Sequence, residues 1–458
     1  MFLSLKLLLV LIQRTLGSYF SSKTAYDFVG NLDPSPIFPL SVKPVYINYL
    51  GRHGTRFPSA NDVKKMTATF KRIKNGSHFY DYFPSGSFGY VASMDKDLAP
   101  RGVKELNQIG QRFRRRFQDL FDSECSNCKN FRFDSTCRTR AIQSMFSFAV
   151  GMFNISENTK WLPEIKTLPC ENDYKYRYFD FCPLYMTKQK CLKKNSEEEK
   201  KLMKKNLFLK IAKKLAQGLG VQNNLCGEDI WTLYLLCAYN VSLNQASADE
   251  GVCSLFDEEA MRAMDYVLDV KNFYKRGGSD PLNILISCDL FASIYHSVAN
   301  ALRSCSNTCQ ANQSCEQGHG GDFGFAHAET LVPLLGNFEL IGLSPDFGSN
   351  NPKTFVNAEN FEELQNKRIY KGSELSPMGA NFALVVGCTS TPTVEGVVLA
   401  LLNEHPISLP CCQGEKLSGN NSIPICTSRQ FMSCYEHRAL SCNLEEICKG
   451  EYNCPKHK

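Results

Sequence analysis

Apolar residues recur along this chain at two spacings, and the switches between them outline its elements. Val45 to Leu50 is β-branched and aromatic and has the length of a buried strand; Phe382-Ala-Leu-Val-Val386 reads the same way. Pro100 opens a helix in which Leu106, Ile109, Phe113 and Phe117 fall at helical spacing. A second helix carries Ile142, Met145, Ala149 and Phe153 on one face, and a third carries Leu290, Ile294, Val298 and Leu302. Strands mixed with helices over this length predict an α/β fold, a mixed β-sheet core with helices on both faces.

From roughly residue 161 to 280 the pattern turns helical and very basic. Lys193, Lys194, Lys200, Lys201, Lys204, Lys205, Lys210, Lys213 and Lys214 surround the acidic triplet Glu197 to Glu199. Such a run reads as a solvated helix face, with steering of a polyanion as the functional alternative. After about residue 411 the chain becomes cysteine-dense and loop-like. At the other end, a basic residue at Lys6, an apolar run from Leu7 to Ile12 and small residues Gly17 and Ser18 read as a signal peptide over residues 1–18. No later stretch is apolar enough to span a bilayer.

Composition changes the picture mainly through sulfur. Twenty-one cysteines in 458 residues suit an oxidising lumen or the extracellular space, and the odd count leaves at least one without an intrachain partner. Asn-x-Ser sequons at Asn75, Asn154, Asn240, Asn312 and Asn420 would be acceptors there. The last residues, Pro455 to Lys458, do not form a retention signal. Secretion or residence in the endoplasmic reticulum lumen is therefore expected. Cys125-x-x-Cys128 lacks a second pair at zinc-finger distance and reads as disulfide material. Cys305, Cys309, Cys315 and His319 read as a stapled loop leading to the site rather than a metal centre. A net charge of +6 is modest for this length, and phosphate-loop, dinucleotide and nucleic-acid-binding motifs are missing.

The sharpest chemical signal is the run Arg52-His53-Gly54-Thr55-Arg56-Phe57-Pro58 at the end of the first strand. Guanidinium groups beside an imidazole oppose a metal cation, but they bind phosphoryl oxygens by charge-assisted, often bidentate hydrogen bonds. They also disfavour imidazolium, leaving His53 neutral and nucleophilic at mildly acidic pH. Gly54 is expected where backbone and phosphate come close.

This run, with Gly324-Phe-Ala-His-Ala-Glu-Thr-Leu-Val-Pro-Leu-Leu335, resembles the histidine acid phosphatase superfamily. The His-Ala-Glu-Thr form is similar to that of the multiple inositol polyphosphate phosphatases. Leu98-x-x-x-Gly102, Ser135 through Gly151, Cys253 to Asp257, Tyr274-Lys-Arg-Gly277 and Leu401 to Glu404 follow in the family's order, so the resemblance covers about residues 40 to 410. It implies a phosphatase core over 19–160 and 281–410 with an inserted, mostly helical cap at 161–280. The cysteine-rich tail, 411–458, has no counterpart.

The resemblance also implies roles. His53 would be the nucleophile, forming a phosphohistidine, and Arg52 and Arg56 would bind the phosphate oxygens. A third arginine is expected after the second core strand. Arg140 matches the family's spacing to Ser135, Ser144 and Gly151, while Arg138, two residues away on the same face of a strand, remains its rival. His327 would donate a hydrogen bond to phosphate, and Glu329 would be the proton donor, its carboxyl kept protonated by the charge of bound substrate. Leu331 to Leu335 reads as a core helix whose N-terminus faces the anion, with Thr330 orienting the acid or capping that helix. Lys275 and Arg276 would meet outlying phosphates, unless they form only a basic turn.

The implied reaction is removal of phosphates from inositol hexakisphosphate and lower inositol phosphates, and from 2,3-bisphosphoglycerate. It calls for no metal and no cofactor. The expected partner is a small phosphorylated molecule, with neither nucleic acid nor a membrane span after signal removal. Two alternatives stand: a general secreted acid phosphatase acting on small monoesters, and a catalytically inactive secreted binding protein of the same fold.

Overall fold

The computed structural model describes residues 17–124, 130–153, 164–194, 197–222, 225–243, 246–305, 320–341, 355–389, 395–412, 414–417 and 423–453. Its sheet is built from β1 (Val42–Arg52), β2 (Phe131–Ser135), β3 (Glu164–Thr167), β4 (Gly321–Ala326), β5 (Asn381–Thr389), β6 (Gly396–Leu402), β7 (His405–Ile407) and β8 (Cys426–Thr427). The order is β8-β6-β5-β1-β4-β2-β3, with β7 also on β6. β1, β4, β2 and β3 are parallel, and β5 joins β1 antiparallel. The sheet is therefore mixed.

Alternation along β1 separates two cores, because successive side chains point to opposite faces. Ile47 and Tyr49 pack with Phe323 and Phe325 of β4 under two helices, α2 (Pro100–Arg116) and α3 (Thr139–Phe153). A preceding helix, α1 (Ala60–Ile73), follows the Arg-His-Gly segment and opens on a capping box between Ser59 and Asp62. Leu106, Ile109, Phe113, Met145 and Phe148 supply the helical side of the first core. Each such side chain contributes roughly 1.5–3 kcal/mol on leaving water, so this cluster seats both helices firmly on the sheet. The stripe on α3 is rotated from the expected one: Ala141, Met145 and Phe148 are buried, whereas Ile142 is only half-buried.

Tyr46 and Leu50 face the other way, into a larger core. The interval from 161 does not start helical: β3 comes first and adds an edge strand to β2. Helices then follow as α4 (Pro183–Lys194), α5 (Glu197–Met203), α6 (Asn206–Leu219), α7 (Gly227–Ser242) and α8 (Glu258–Arg276). Their apolar faces join one continuous cluster with Leu290, Ile294, Val298 and Leu302 of α9 (Cys288–Cys305) and Leu331 and Leu335 of α10 (Ala328–Asn337). Lys200, Lys201, Lys204, Lys210, Lys213 and Lys214 are exposed, and Lys201 and Lys214 pair with Glu198 and Asp257. This run is a solvated face.

The tail is not loop-like. α11 (Ser428–Leu440) starts on a Thr427–Gln430 capping box and buries Phe431, Tyr435 and Ala439. Disulfides Cys411–Cys434 and Cys412–Cys426 staple the tail internally. Cys288–Cys442 ties it to α9, and Cys182–Cys448 ties it to the start of α4. Cys305 bonds Cys388 of β5 rather than a neighbour in a local loop. Cys137–Cys170 and Cys237–Cys253 complete the pairs formed among the described residues, where Cys226 carries a free thiol. Residues 1–16, Cys125, Cys128, Asn154, Cys309, Asn312, Cys315, His319, Asn420 and Pro455 to Lys458 lie outside the described residues. Asn75 is exposed; Asn240 is half-buried and accepts a hydrogen bond from the Tyr90 hydroxyl. Among the described residues, no helix is long and apolar enough to cross a membrane.

Candidate active site

The parallel pairing of β1 with β4 ends at Arg52 opposite Ala326, so His53 and His327 leave the sheet side by side. The carboxyl ends of parallel strands are where open α/β sheets place ligands. The His53 amide donates to the Ala326 carbonyl at 3.1 Å, and the two imidazole centroids lie 5.5 Å apart.

Past His53 the chain turns against the start of α2. A β-carbon on Gly54 would lie 2.5 Å from the Gly102 carbonyl oxygen, and one on Gly102 would lie 2.2 Å from that of Thr55. Close contact with α2 thus requires glycine at 54, and the Leu98-x-x-x-Gly102 spacing has its reason here. Glu105, buried on α2, accepts from the Thr55 amide and hydroxyl, both at 2.9 Å. Burial pushes its carboxyl up to about 7 despite those donors. Sequence reasoning missed this brace.

His53 Nδ1 lies 2.9 Å from the Gly54 carbonyl, which can only accept, so Nδ1 carries the proton and Nε2 keeps its lone pair. Burial first, then Arg52, Arg140, His327 and Arg56, hold the imidazole well below its usual pKa. The ring is a neutral base with a free nitrogen. Arg52 is fixed from behind, its NH1 donating to the carbonyls of Ser22 at 2.7 Å and Ser376 at 2.5 Å. Arg56 NH1 donates to the Phe57 carbonyl at 2.7 Å.

β2 ends at Ser135 and α3 begins at Thr139, so Arg138 and Arg140 do not share a strand face. Arg138 is exposed, and its neighbour Cys137 is bonded to Cys170. Arg140, on the first turn of α3, sets its NH2 at 3.5 Å from His327 Nδ1. A guanidinium only donates, so Nδ1 accepts and the His327 proton sits on Nε2. Burial, then Arg140, depresses the His327 pKa strongly.

His327 caps α10, and Glu329 stands in its first turn. Thr330 neither orients the acid nor caps the helix, for its hydroxyl donates to the Tyr176 carbonyl at 2.8 Å. Lys275 Nζ and Arg276 NH1, from the last turn of α8, lie 2.8 and 2.9 Å from Glu329 Oε1. Burial alone would raise that carboxyl; Arg276 and Lys275 outweigh it and hold the pKa well below the carboxylate range.

Four buried nitrogens, Arg52 Nε, Arg140 Nε, Arg276 Nε and His327 Nε2, have no hydrogen-bond partner among the described residues. Each unsatisfied buried donor costs roughly 1–3 kcal/mol, and all four are donors, as an anion site requires. Cations crowd here too. Burial, Arg276 and Arg56 press the Arg52 guanidinium down, and burial, Arg56, Arg52 and Arg276 do the same to Lys23, against the pull of Asp62 on α1.

Lys23 escaped sequence reasoning because no motif marks it. The segment before it is pinned from α8: Ser21, at φ 46°, donates its amide to Asp265 at 2.6 Å and its hydroxyl to Asp269 at 2.5 Å. Arg177, a further cation acting on Arg140 and His327, was also missed. A separate pocket of about 290 Å³ lies along Asn48, Asp134, Lys175 and Asp322, away from His53. There Arg132 pairs with Asp322 and Lys175 with Asp134.

Multiple inositol polyphosphate phosphatase 1 of Gallus gallus is 25% identical over 471 residues, covering 97% of this chain and 95% of the relative. A phytase from D. castellii matches in structure with a TM-score of 0.67 at 17% identity, over 95% of this chain and 87% of that one. The Bifidobacterium longum multiple inositol polyphosphate phosphatase, in complex with inositol hexasulfate, matches with a TM-score of 0.64 at 16% identity, over 91% and 97%. At those identities the two structures speak for the fold. The model of the histidine phosphatase superfamily (branch 2) matches residues 46–385, most of the chain, and the protein belongs to that family.

Proposed function

We propose that the protein hydrolyses phosphomonoesters of inositol polyphosphates, inositol hexakisphosphate included, through a phosphohistidine on His53. One observation carries this reading: a neutral imidazole with a free Nε2 lies among buried donors and more cations than one phosphate needs. Arg52, Arg56, Arg140 and His327 suffice for the oxygens of a single transferring group. Lys23, Lys275 and Arg276 are then available to further phosphates, and crowding of like charge is relieved most by a polyanion. The names of the Gallus gallus relative and of the structural neighbours support the same substrate class.

In the first step His53 Nε2 attacks phosphorus, the bond to the ester oxygen breaks, and Glu329, protonated, gives its proton to that oxygen. In the second, water attacks phosphorus, Glu329 accepts the proton, and the P–N bond breaks to release orthophosphate. The helices at 183–276 cover this site as a cap, and the disulfides suit passage through the secretory pathway to a lumenal or extracellular destination. The test is turnover of inositol hexakisphosphate against p-nitrophenyl phosphate by the purified protein. Release of several phosphates from the former, at a higher kcat/KM, is expected. A strong preference for p-nitrophenyl phosphate would remove the polyphosphate claim.

A further inference from the structure

A proton donor must carry its proton when the ester bond breaks, yet Glu329 sits in ion pairs that keep it ionised. The two cations end α8 and the carboxylate starts α10, so helix dipoles favour each partner where it is. The pairing is nevertheless at the mouth of the site: the Lys275 and Glu329 side chains are 43% and 29% exposed. Ion pairs that water can reach are weak and exchangeable. Arg276 is deeper, 7% exposed, and is aimed by Asn272, whose Oδ1 accepts from its NH2 at 2.5 Å. The Lys275 carbonyl is held by the Tyr185 hydroxyl at 2.9 Å and the Gln189 amide at 2.8 Å, so the backbone is fixed while the ammonium bonds Glu329.

We propose that Lys275 and Arg276 form a latch on Glu329, which a second phosphate of the substrate, next to the one being removed, opens by taking the two cations. The inference rests on the polyphosphate reading for the identity of that second anion. Other groups facing the carboxyl are His327 on its own helix, Arg52 from β1, Arg140 from α3, and the phenols of Tyr178, Tyr185 and Tyr370. Arg52, Arg140 and His327 turn to the transferring phosphate, whose charge cancels theirs at Glu329. Once α8 is also engaged, the carboxyl faces net negative charge, takes a proton from solvent and becomes competent. A simple monoester fills the first site and leaves the latch closed. The substrate thereby switches on its own acid.

The test is kcat against pH for wild type, Lys275→Met and Glu329→Gln, on inositol hexakisphosphate, 2-glycerophosphate and p-nitrophenyl phosphate. The last has a leaving group that needs no acid. In the wild type, the basic limb for inositol hexakisphosphate should lie about one pH unit or more above that for 2-glycerophosphate. Lys275→Met should raise the 2-glycerophosphate limb, raise mid-range kcat for 2-glycerophosphate several-fold relative to that for p-nitrophenyl phosphate, and raise KM for inositol hexakisphosphate. Glu329→Gln should abolish the limb. A 2-glycerophosphate limb unmoved in Lys275→Met, or one that survives in Glu329→Gln, overturns the latch. Failure of the polyphosphate reading shows separately, as wild type that releases nothing from inositol hexakisphosphate while the monoester limb still shifts.

Discussion

The proposed chemistry turns on His53, whose protonation has a definite sign. Burial and the guanidinium groups around it lower its pKa well below 6.5. The neutral, nucleophilic form therefore persists as pH falls and is lost only below that depressed value. The acid limb of kcat/KM should lie well under the ordinary histidine range. Arg140→Gln removes a cation that acts on His53 and, in the proposed mechanism, a donor to phosphate. It should move that limb upward and cut kcat about 10²-fold, the usual effect of losing one donor to a developing charge; a limb that stays put would deny Arg140 its part in tuning the imidazole. Arg52, His53 and Arg56 were legible because phosphoryl chemistry calls for those types together, and Arg140, His327 and Glu329 through the family resemblance. Lys23 was not, because it is brought in by a strained turn at Ser21 that two buried aspartates of α8 hold in place.

Among the elements, β1 was readable as an apolar run buried on both faces, and α2, α3 and α9 from helical periodicity, since each of these helices buries one face against the sheet. β3 was not: Glu164-Ile-Lys-Thr167 is short, lies at the sheet's edge and has only Ile165 packed against the core. α11 was missed for a different reason. The spacing of Phe431, Tyr435 and Ala439 and the Thr427–Gln430 box were there to see, but cysteine density suggested loops. The contact of α2 with the Arg-His-Gly turn offers a sharp test. Gly102→Ala would gain about 1 kcal/mol of helix propensity, but its new methyl would meet the Thr55 carbonyl at 2.2 Å. Overpacking of that kind costs roughly 1–3 kcal/mol, and the two nearest atoms, Thr55 O and N, are backbone that cannot swing aside. The clash should win: a lower denaturation midpoint, with kcat/KM falling further than stability because the displaced turn carries His53. Unchanged activity would mean that the contact is not what positions the turn.

At the scale of the whole molecule, the tail clamps the larger core from outside. Cys288–Cys442 and Cys182–Cys448 close loops of 154 and 266 residues. Arg438 of α11 also binds the far end of α10, pairing with Glu339 at 2.8 Å. Loops this long lose much entropy on cross-linking, so Cys442→Ser should lower stability by about 3–5 kcal/mol, read from denaturant unfolding, with a smaller effect on kcat. A variant as stable as wild type would show that packing of α11 alone holds the tail. All of this scaffolding holds an imidazole with a free nitrogen, and the phosphoryl group it is proposed to take can be caught directly. Wild-type protein and His53→Ala should be mixed with ³²P-labelled inositol hexakisphosphate and quenched in alkali, which preserves phosphohistidine. Acid-labile label is expected on the peptide containing His53 in wild type, and neither label nor orthophosphate release in the variant. Label on a different residue, or phosphate release that survives in His53→Ala, would contradict it.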